Sequence, residues 1–209
     1  MDALYILEIC RGVKHARCPY ALPAPSGFET AVRRTLESAG YAEWTPQDGT
    51  PGGRHAALKC SISGCANGCS RPQIADAGLI RAAKAVILPD LCAACGDCLE
   101  ACPESLIRLT PKGLVMDQAD CLACGRCARA CQTGAIAMGA PGFMALAGGG
   151  LGRRPRLASR LPGQLCDEEA LRFLANVAAV HLESLDRGRK FAQVLFEDGE
   201  EAGLSRVSP

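Results

Sequence analysis

Cys92-Ala-Ala-Cys95-Gly-Asp-Cys98-Leu-Glu-Ala-Cys102-Pro103 is a C-x2-C-x2-C-x3-C-P run, and it recurs as Cys121-Leu-Ala-Cys124-Gly-Arg-Cys127-Ala-Arg-Ala-Cys131-Gln132. The repeat extends outward, because Glu104-Ser-Leu-Ile107 after the first run is answered by Thr133-Gly-Ala-Ile136 after the second. Paired zinc sites need two-plus-two ligands and redox dithiols need two, so neither uses the third and fourth cysteines twice over. A [4Fe–4S] cube does. A tight loop points three thiolates at three irons, small residues keep the backbone close, and the fourth cysteine, a helical turn later, reaches across to the other cube. The spacing predicts two [4Fe–4S] clusters, one on Cys92, Cys95, Cys98 and Cys131 and one on Cys121, Cys124, Cys127 and Cys102. Gln132 stands where the first run has Pro103, which changes the backbone after the ligand without removing a thiolate.

Between the runs, Leu106-Ile-Arg-Leu109 and Gly113-Leu-Val-Met116 flank Thr-Pro-Lys and predict a small hairpin. Residues 85 to 138 resemble a bacterial-type two-cluster ferredoxin domain. That resemblance implies electron transfer and leaves open what is reduced.

The chain has fourteen cysteines in 209 residues. Their spacings are those of metal ligands, and the start Met1-Asp2-Ala3-Leu4 shows neither a basic nor an apolar leader, so a reducing compartment, the cytoplasm, is expected. A net charge of +1 and only 4% aromatic residues argue against nucleic acid or an acidic membrane as partner. Gln132 to Gly152 is uncharged and long enough to cross a bilayer, but Pro141 and seven glycines favour turns over helix, so no membrane span is expected. Gly148, Gly150 and Gly152 make no dinucleotide fingerprint, since Arg-Arg-Pro follows instead of a helix.

A second constellation lies upstream. Cys60-Ser-Ile-Ser-Gly-Cys65-Ala-Asn-Gly-Cys69-Ser-Arg71 holds a C-x3-C pair, and a strand-like run, Ala56 to Ile62, leads into it. The stretch resembles the siroheme and [4Fe–4S] motif of the nitrite and sulfite reductase family, particularly its dissimilatory sulfite reductase branch. The resemblance implies that Cys65 and Cys69 ligate a third cube, with Cys69 bridging to the siroheme iron. The family takes its other two ligands from an earlier C-x5-C motif. The match here is Cys10-Arg-Gly-Val-Lys-His-Ala-Arg-Cys18, two residues longer, and Cys60 is a rival fourth ligand. In the dissimilatory enzymes ferredoxin domains are inserted after this motif, as here. Gly149-Gly-Leu-Gly-Arg153-Arg154-Pro-Arg156 resembles the segment that follows the insertion, and the tail from Asp167 resembles the closing helices. The similarity covers nearly the whole chain, as the C-terminal half of a full reductase. The fold it implies is α+β: a sulfite-reductase-like half-domain, residues 1–84 with 139–209, interrupted by the ferredoxin-like insert, residues 85–138.

Siroheme carries many carboxylates, so its pocket needs cations. Candidates are Arg11, Lys14, His15 and Arg17 in the first cysteine loop, Arg71 beside Cys69, and Arg153, Arg154 and Arg156. Cys69, Arg71, Lys14 and Arg17 are the candidates for handling a small oxyanion and its protons. The resemblance implies electron flow through two ferredoxin cubes to a third and to siroheme, for reduction of sulfite or nitrite. The alternative is a non-enzymatic electron carrier without siroheme. Implied partners are an electron-donor protein and a second subunit, or a second copy of the chain, completing the siroheme pocket.

Ser26-Gly-Phe-Glu29 reads as a capping box, with Phe28, Val32, Leu36 and Ala39 at helical spacing and Gly40 as a stop. A second helix is expected from Asp167 to near Gly188, with His181 as a packing or surface residue and Cys166 before it as an ordinary thiol.

Overall fold

The computed structural model describes residues 4–15, 18–22, 24–41, 44 and 56–209. In chain order it runs β1 (Tyr5–Ile9), α1 (Arg11–His15), α2 (Phe28–Glu37), β2 (Leu58–Ser63), β3 (Ala77–Ala82) and β4 (Ala85–Ile87). There follow α3 (Asp97–Ala101), β5 (Ile107–Thr110), β6 (Gly113–Met116), α4 (Arg126–Ala130) and β7 (Ile136–Met138). Last come β8 (Gly142–Ala147), β9 (Ser159–Arg160), α5 (Asp167–Asp186), α6 (Phe191–Leu195) and α7 (Glu200–Val207). The chain divides into two compact units, Met1–Arg81 with Phe143–Pro209, and Ala82–Gly142.

The first unit is built on a five-stranded sheet of order β1-β2-β3-β8-β9. β1, β2 and β3 run parallel, with Leu7 opposite Cys60 and Cys60 opposite Ala77, and β9 returns antiparallel to β8. Every residue of β3 and of β8 is buried. Strands covered on both faces read as unbroken apolar or small-residue runs, which is why the uncharged stretch Gln132 to Gly152 contains a core strand, Gly142–Ala147. Among the described residues no helix is long and apolar enough to cross a membrane.

Helical spacing buries Phe28, Val32 and Leu36 of α2 and Phe173, Leu174 and Val177 of α5 against Leu58, Ile62, Leu79 and Phe143 of the sheet. The rings of Phe28 and Phe143 stack at 4.8 Å. The capping box expected at Ser26 does not form. Gly27 takes the N-cap position with φ 75° and no side-chain cap bond. The αL conformation there is cheap only for glycine, and it displaces Ser26 from capping reach. The box appears instead at α5, where the Cys166 thiol accepts a first-turn N–H and the Cys166 N–H donates to Glu169 at 2.7 Å.

His181 is a packing residue. Its Nε2 lies 2.8 Å from the Ala56 carbonyl, which can only accept, so Nε2 carries the proton and Nδ1 accepts from the Tyr41 hydroxyl at 3.1 Å. Burial holds its pKa down at about 4, the Ala56 carbonyl pulling the other way. The unfolded chain therefore takes up a proton near pH 6.5 that the fold refuses until about pH 4, and stability falls as pH drops through that window. Denaturant unfolding at pH 7.5 and pH 5 should show about 2 kcal/mol lost through this residue, a loss absent from His181→Gln. Asp76, whose carboxyl burial pushes up to about 6, works in the opposite sense, so the difference between variant and parent is the readout.

The second unit is small. β4 pairs antiparallel with β7, and β5 with β6 in the expected hairpin, the first strand beginning at Ile107. Its core is Ala85, Ile107, Leu114 and Ile136 with Cys98 and Cys127. A core of so few side chains does not sustain a domain of this size without a staple such as a metal centre.

Candidate metal centres

The two cysteine runs fold into the same local backbone. Ala94 and Ala123, each just before the second cysteine of its run, take positive φ of 54° and 50°. Gly96 and Gly125, φ 88° and 70°, then cap α3 and α4. A non-glycine residue in αL costs on the order of 1–2 kcal/mol, and two at matched places mark a loop shaped by what it holds. Cys92, Cys95, Cys98 and Cys131 line one cavity. Cys121, Cys124, Cys127 and Cys102 line another. Each cavity thus takes three cysteines from one run and the fourth from the other. Burial pushes the Cys98 thiol up, its own N–H pulls back, and Cys131, Cys95 and Cys92 push further. Cys127 behaves likewise, with Cys121 and Cys124 as its neighbours. Backbone N–H groups aim at the sulfurs: Leu106 at Cys102 (3.4 Å), Ala123 at Cys121 (3.3 Å) and Ile136 at Cys131 (3.4 Å). The Thr133 hydroxyl and then the Ile136 N–H hold the Cys131 thiol below its usual range. Donors of this kind favour thiolate and suit cube ligation.

A second group of four cysteines gathers in the first unit. Burial raises the Cys65 thiol, an N–H at Asn67 opposes this, and Cys18, Cys69 and Cys10 raise it further. The four are neighbours because the loop after β1 lies on the end of β2: Cys10 N–H donates to Ile62 O at 2.9 Å, Leu22 N–H to Gly64 O at 2.9 Å, and Gly64 N–H to the Cys10 sulfur at 3.1 Å. The approach needs two glycines. A Cβ on Gly12 would stand 2.7 Å from the Ala21 Cβ and 3.0 Å from the Cys18 Cβ, and one on Gly64 3.0 Å from the Ala21 Cβ. The segment carrying Cys69 is tied to β2 by a buried serine network. Ser70 Oγ donates to Ile62 O at 2.9 Å, Ser63 Oγ lies 2.7 Å from Ser70 Oγ, and Ser61 Oγ donates to Ser70 O. Of the four cysteines only Cys69 is exposed, and Asn67 Nδ2 donates to its sulfur at 3.0 Å. Cys60 stands apart. It is 1% exposed among the apolar core, and burial first, then Asp76, pushes its thiol up. Four thiols converging on a glycine-lined approach fit a cube.

A cleft of about 410 Å³ opens beside Ser70 and Arg71, the two residues after Cys69. Lys59, Arg71 and Glu8 charge its walls and Leu151 borders it. The Arg71 guanidinium stands 3.8 Å from Glu8 and remains 68% exposed, free to turn to an anion. Arg11 and Lys14 on α1, and Arg153 and Arg154, are exposed. Arg156 is engaged: its guanidinium lies over the Phe196 ring at 3.9 Å, donates to Ser159 at 3.1 Å and faces Glu200 at 3.5 Å. Arg17 and the side chain of His15 lie outside the described residues. Sequence reasoning missed Lys59 and Glu8. Each is the one charged residue of its strand, and that break in the pattern was the available signal. The two cations, Lys59 and Arg71, fit one wall of a site for a polycarboxylate tetrapyrrole, and Glu8 is the counter-charge of Arg71.

Residues 91–135 match the 4Fe–4S dicluster domain family. Forty-five residues are 44% identical to one component of the anaerobic sulfite reductase of Salmonella typhimurium, and equally to its counterpart in Salmonella typhi, a stretch covering 22% of this chain and 13% of each relative. The whole fold is similar to dissimilatory sulfite reductase I (DsrI), with a TM-score of 0.60 and 17% identity over 96% of this chain and 51% of that one. It is also similar to the NirA protein of Mycobacterium tuberculosis, with a TM-score of 0.52 and 17% identity over 98% of this chain and 27% of that one. The chain spans about half the length of the first structure and about a quarter of the second. It carries a 4Fe–4S dicluster segment within a mixed α and β fold of the sulfite and nitrite reductase type.

Proposed function

We propose that this chain is the iron–sulfur electron-transfer part of a sulfite- or nitrite-reducing enzyme, holding three cubes. Two are ligated as the paired runs suggest, by Cys92, Cys95, Cys98 and Cys131 and by Cys121, Cys124, Cys127 and Cys102. The third is ligated by Cys10, Cys18, Cys65 and Cys69. The observation that carries the third is the convergence of these four thiols, with Cys69 outermost and a cation-lined cleft opening two residues on. Cys60 is not a ligand in this reading, since the apolar core holds it.

Siroheme, when bound, supplies the iron centre at which a sulfur or nitrogen oxyanion is reduced. In this reading Lys59 and Arg71 pair with its carboxylates, and Arg11, Lys14, Arg153 and Arg154 are exposed cations for the remainder or for the oxyanion. Arg156 is a structural residue, already satisfied by Phe196, Ser159 and Glu200. The opposite wall belongs to a partner, a second chain or a second copy, and a separate protein donates the electrons.

An absorption spectrum of anaerobically prepared protein, with acid-acetone extraction, tests this. A Soret band and extractable siroheme are expected, with about twelve irons per chain. A broad iron–sulfur spectrum with no pigment, from cells that make siroheme, would reduce the chain to an electron carrier.

A further inference from the structure

The two cysteine runs share spacing and backbone but carry opposite charges at matched positions. Asp97 in the first corresponds to Arg126 in the second, and Glu100 to Arg129. Each pair occupies α3 or α4, the helix that presents the third cysteine of its run, and all four side chains are exposed. Arg129 is anchored on the loop itself, its Nη2 donating to the Cys124 carbonyl at 3.0 Å. One cation is therefore fixed beside the second site, where the first has a carboxylate at the same helical place.

We propose that these charges set the two cubes at different reduction potentials, the cube on Cys121, Cys124, Cys127 and Cys102 being the easier to reduce, with Arg129 as its principal tuning residue. The inference rests on the ligand assignment proposed above. A cube with four thiolates is an anion, and reduction from [4Fe–4S]2+ to [4Fe–4S]1+ adds one more negative charge. A neighbouring cation stabilises the reduced form and a neighbouring carboxylate the oxidised one. Two effects oppose the ordering. Glu104 lines the second site and offsets one arginine. The second loop is also better covered, Met138 lying over Gly125, and a drier cube resists the extra charge. The cover is nevertheless similar at three matched pairs. Cys98 and Cys127 are both buried, and Cys92 with Cys121 and Cys102 with Cys131 are half-buried, so only Cys95, exposed where Cys124 is half-buried, differs. The charge difference is larger: Arg126 and Arg129 are offset by Glu104 and by Asp120, next to Cys121, at one cube, whereas Asp97, Glu100 and Asp90, near Cys92, are all carboxylates at the other. An electron given to the first cube by an external one-electron donor then moves on. The first cube returns from 1+ to 2+ as the second goes from 2+ to 1+.

Anaerobic redox titration of the loaded full chain, followed by electron paramagnetic resonance, reads the two steps separately. Arg129→Gln removes the charge and keeps an N–H for the Cys124 carbonyl. It should lower the higher step by about threefold to tenfold in electron partition, tenfold being 59 mV for a one-electron couple, and leave the lower step in place. Glu100→Gln should raise the lower step. Coincident steps in the parent protein, or an Arg129→Gln effect on the lower step or on neither, would overturn the inference, as would loss of about four irons from that variant. Iron and sulfide analysis of the parent separates this from failure of the cluster assignment, which would show as fewer than about eight irons.

Discussion

Replacing Cys65 and Cys69 together by Ser is expected to lower the iron content from about twelve to about eight per chain and to abolish any sulfite or nitrite reduction, with the dicluster signal intact. The independence follows from the fold, since the dicluster cysteines lie in a compact unit of their own with its own core. A stricter version removes no thiol. In Gly12→Val the new side chain must occupy space where a Cβ alone already meets the Ala21 and Cys18 Cβ atoms at 2.7 and 3.0 Å, driving the loop of Cys10 and Cys18 away from Cys65. It should lose the same four irons while retaining all fourteen cysteines. Twelve irons in either variant would sink the third cube, whereas Cys60→Ser should leave the count unchanged.

Asp167→Ala should be among the most destabilising single changes outside the cysteines, by about 2–3 kcal/mol. Arg81 is 4% exposed, its guanidinium pairs with Asp167, and it lies 4.7 Å from the centroid of the Phe143 ring. Removing the carboxylate takes an ion-pair partner from a buried cation, and it strips an acid from the first turn of α5, where the helix dipole favours one. The carboxylate is 41% exposed, which places the cost at the lower end of the range for buried pairs. Thermal unfolding should drop by roughly 5–10 °C, on the usual scaling for a unit of this size. Arg81→Met combined with Asp167→Ala should recover part of the loss, because an apolar side chain does not need the missing partner. A double variant less stable than Asp167→Ala would show that the arginine is held chiefly by its other neighbours.

What could be read from the sequence is whatever a short stretch of chain determines locally. The hairpin of β5 and β6, the apolar face Phe28, Val32 and Leu36 of α2, and the extent of α5 all follow from periodicity and end signals a few residues apart. The dicluster segment is legible for the same reason, since six of its eight cysteines lie in two loops of seven residues each. Local reading failed where two local devices compete, as at Ser26, displaced as cap by the αL conformation of Gly27, and at Cys166, a cap that no preference table favours. The second cysteine group was undecidable from spacing. Cys60 precedes Cys65 by five residues and Cys10 by fifty-five, yet alternation along β2 buries Cys60 in the apolar core. Parallel pairing of β1 with β2 brings the Cys10 loop onto the end of β2, where Gly12 and Gly64 let the backbones close. Lys59, Glu8 and Arg71 become one cleft wall only through the same pairing. Residue type and spacing marked which positions could carry thiolate chemistry. Strand register and the absence of two Cβ atoms decided which of them meet, because contacts between residues far apart in the chain are set by packing and not by spacing.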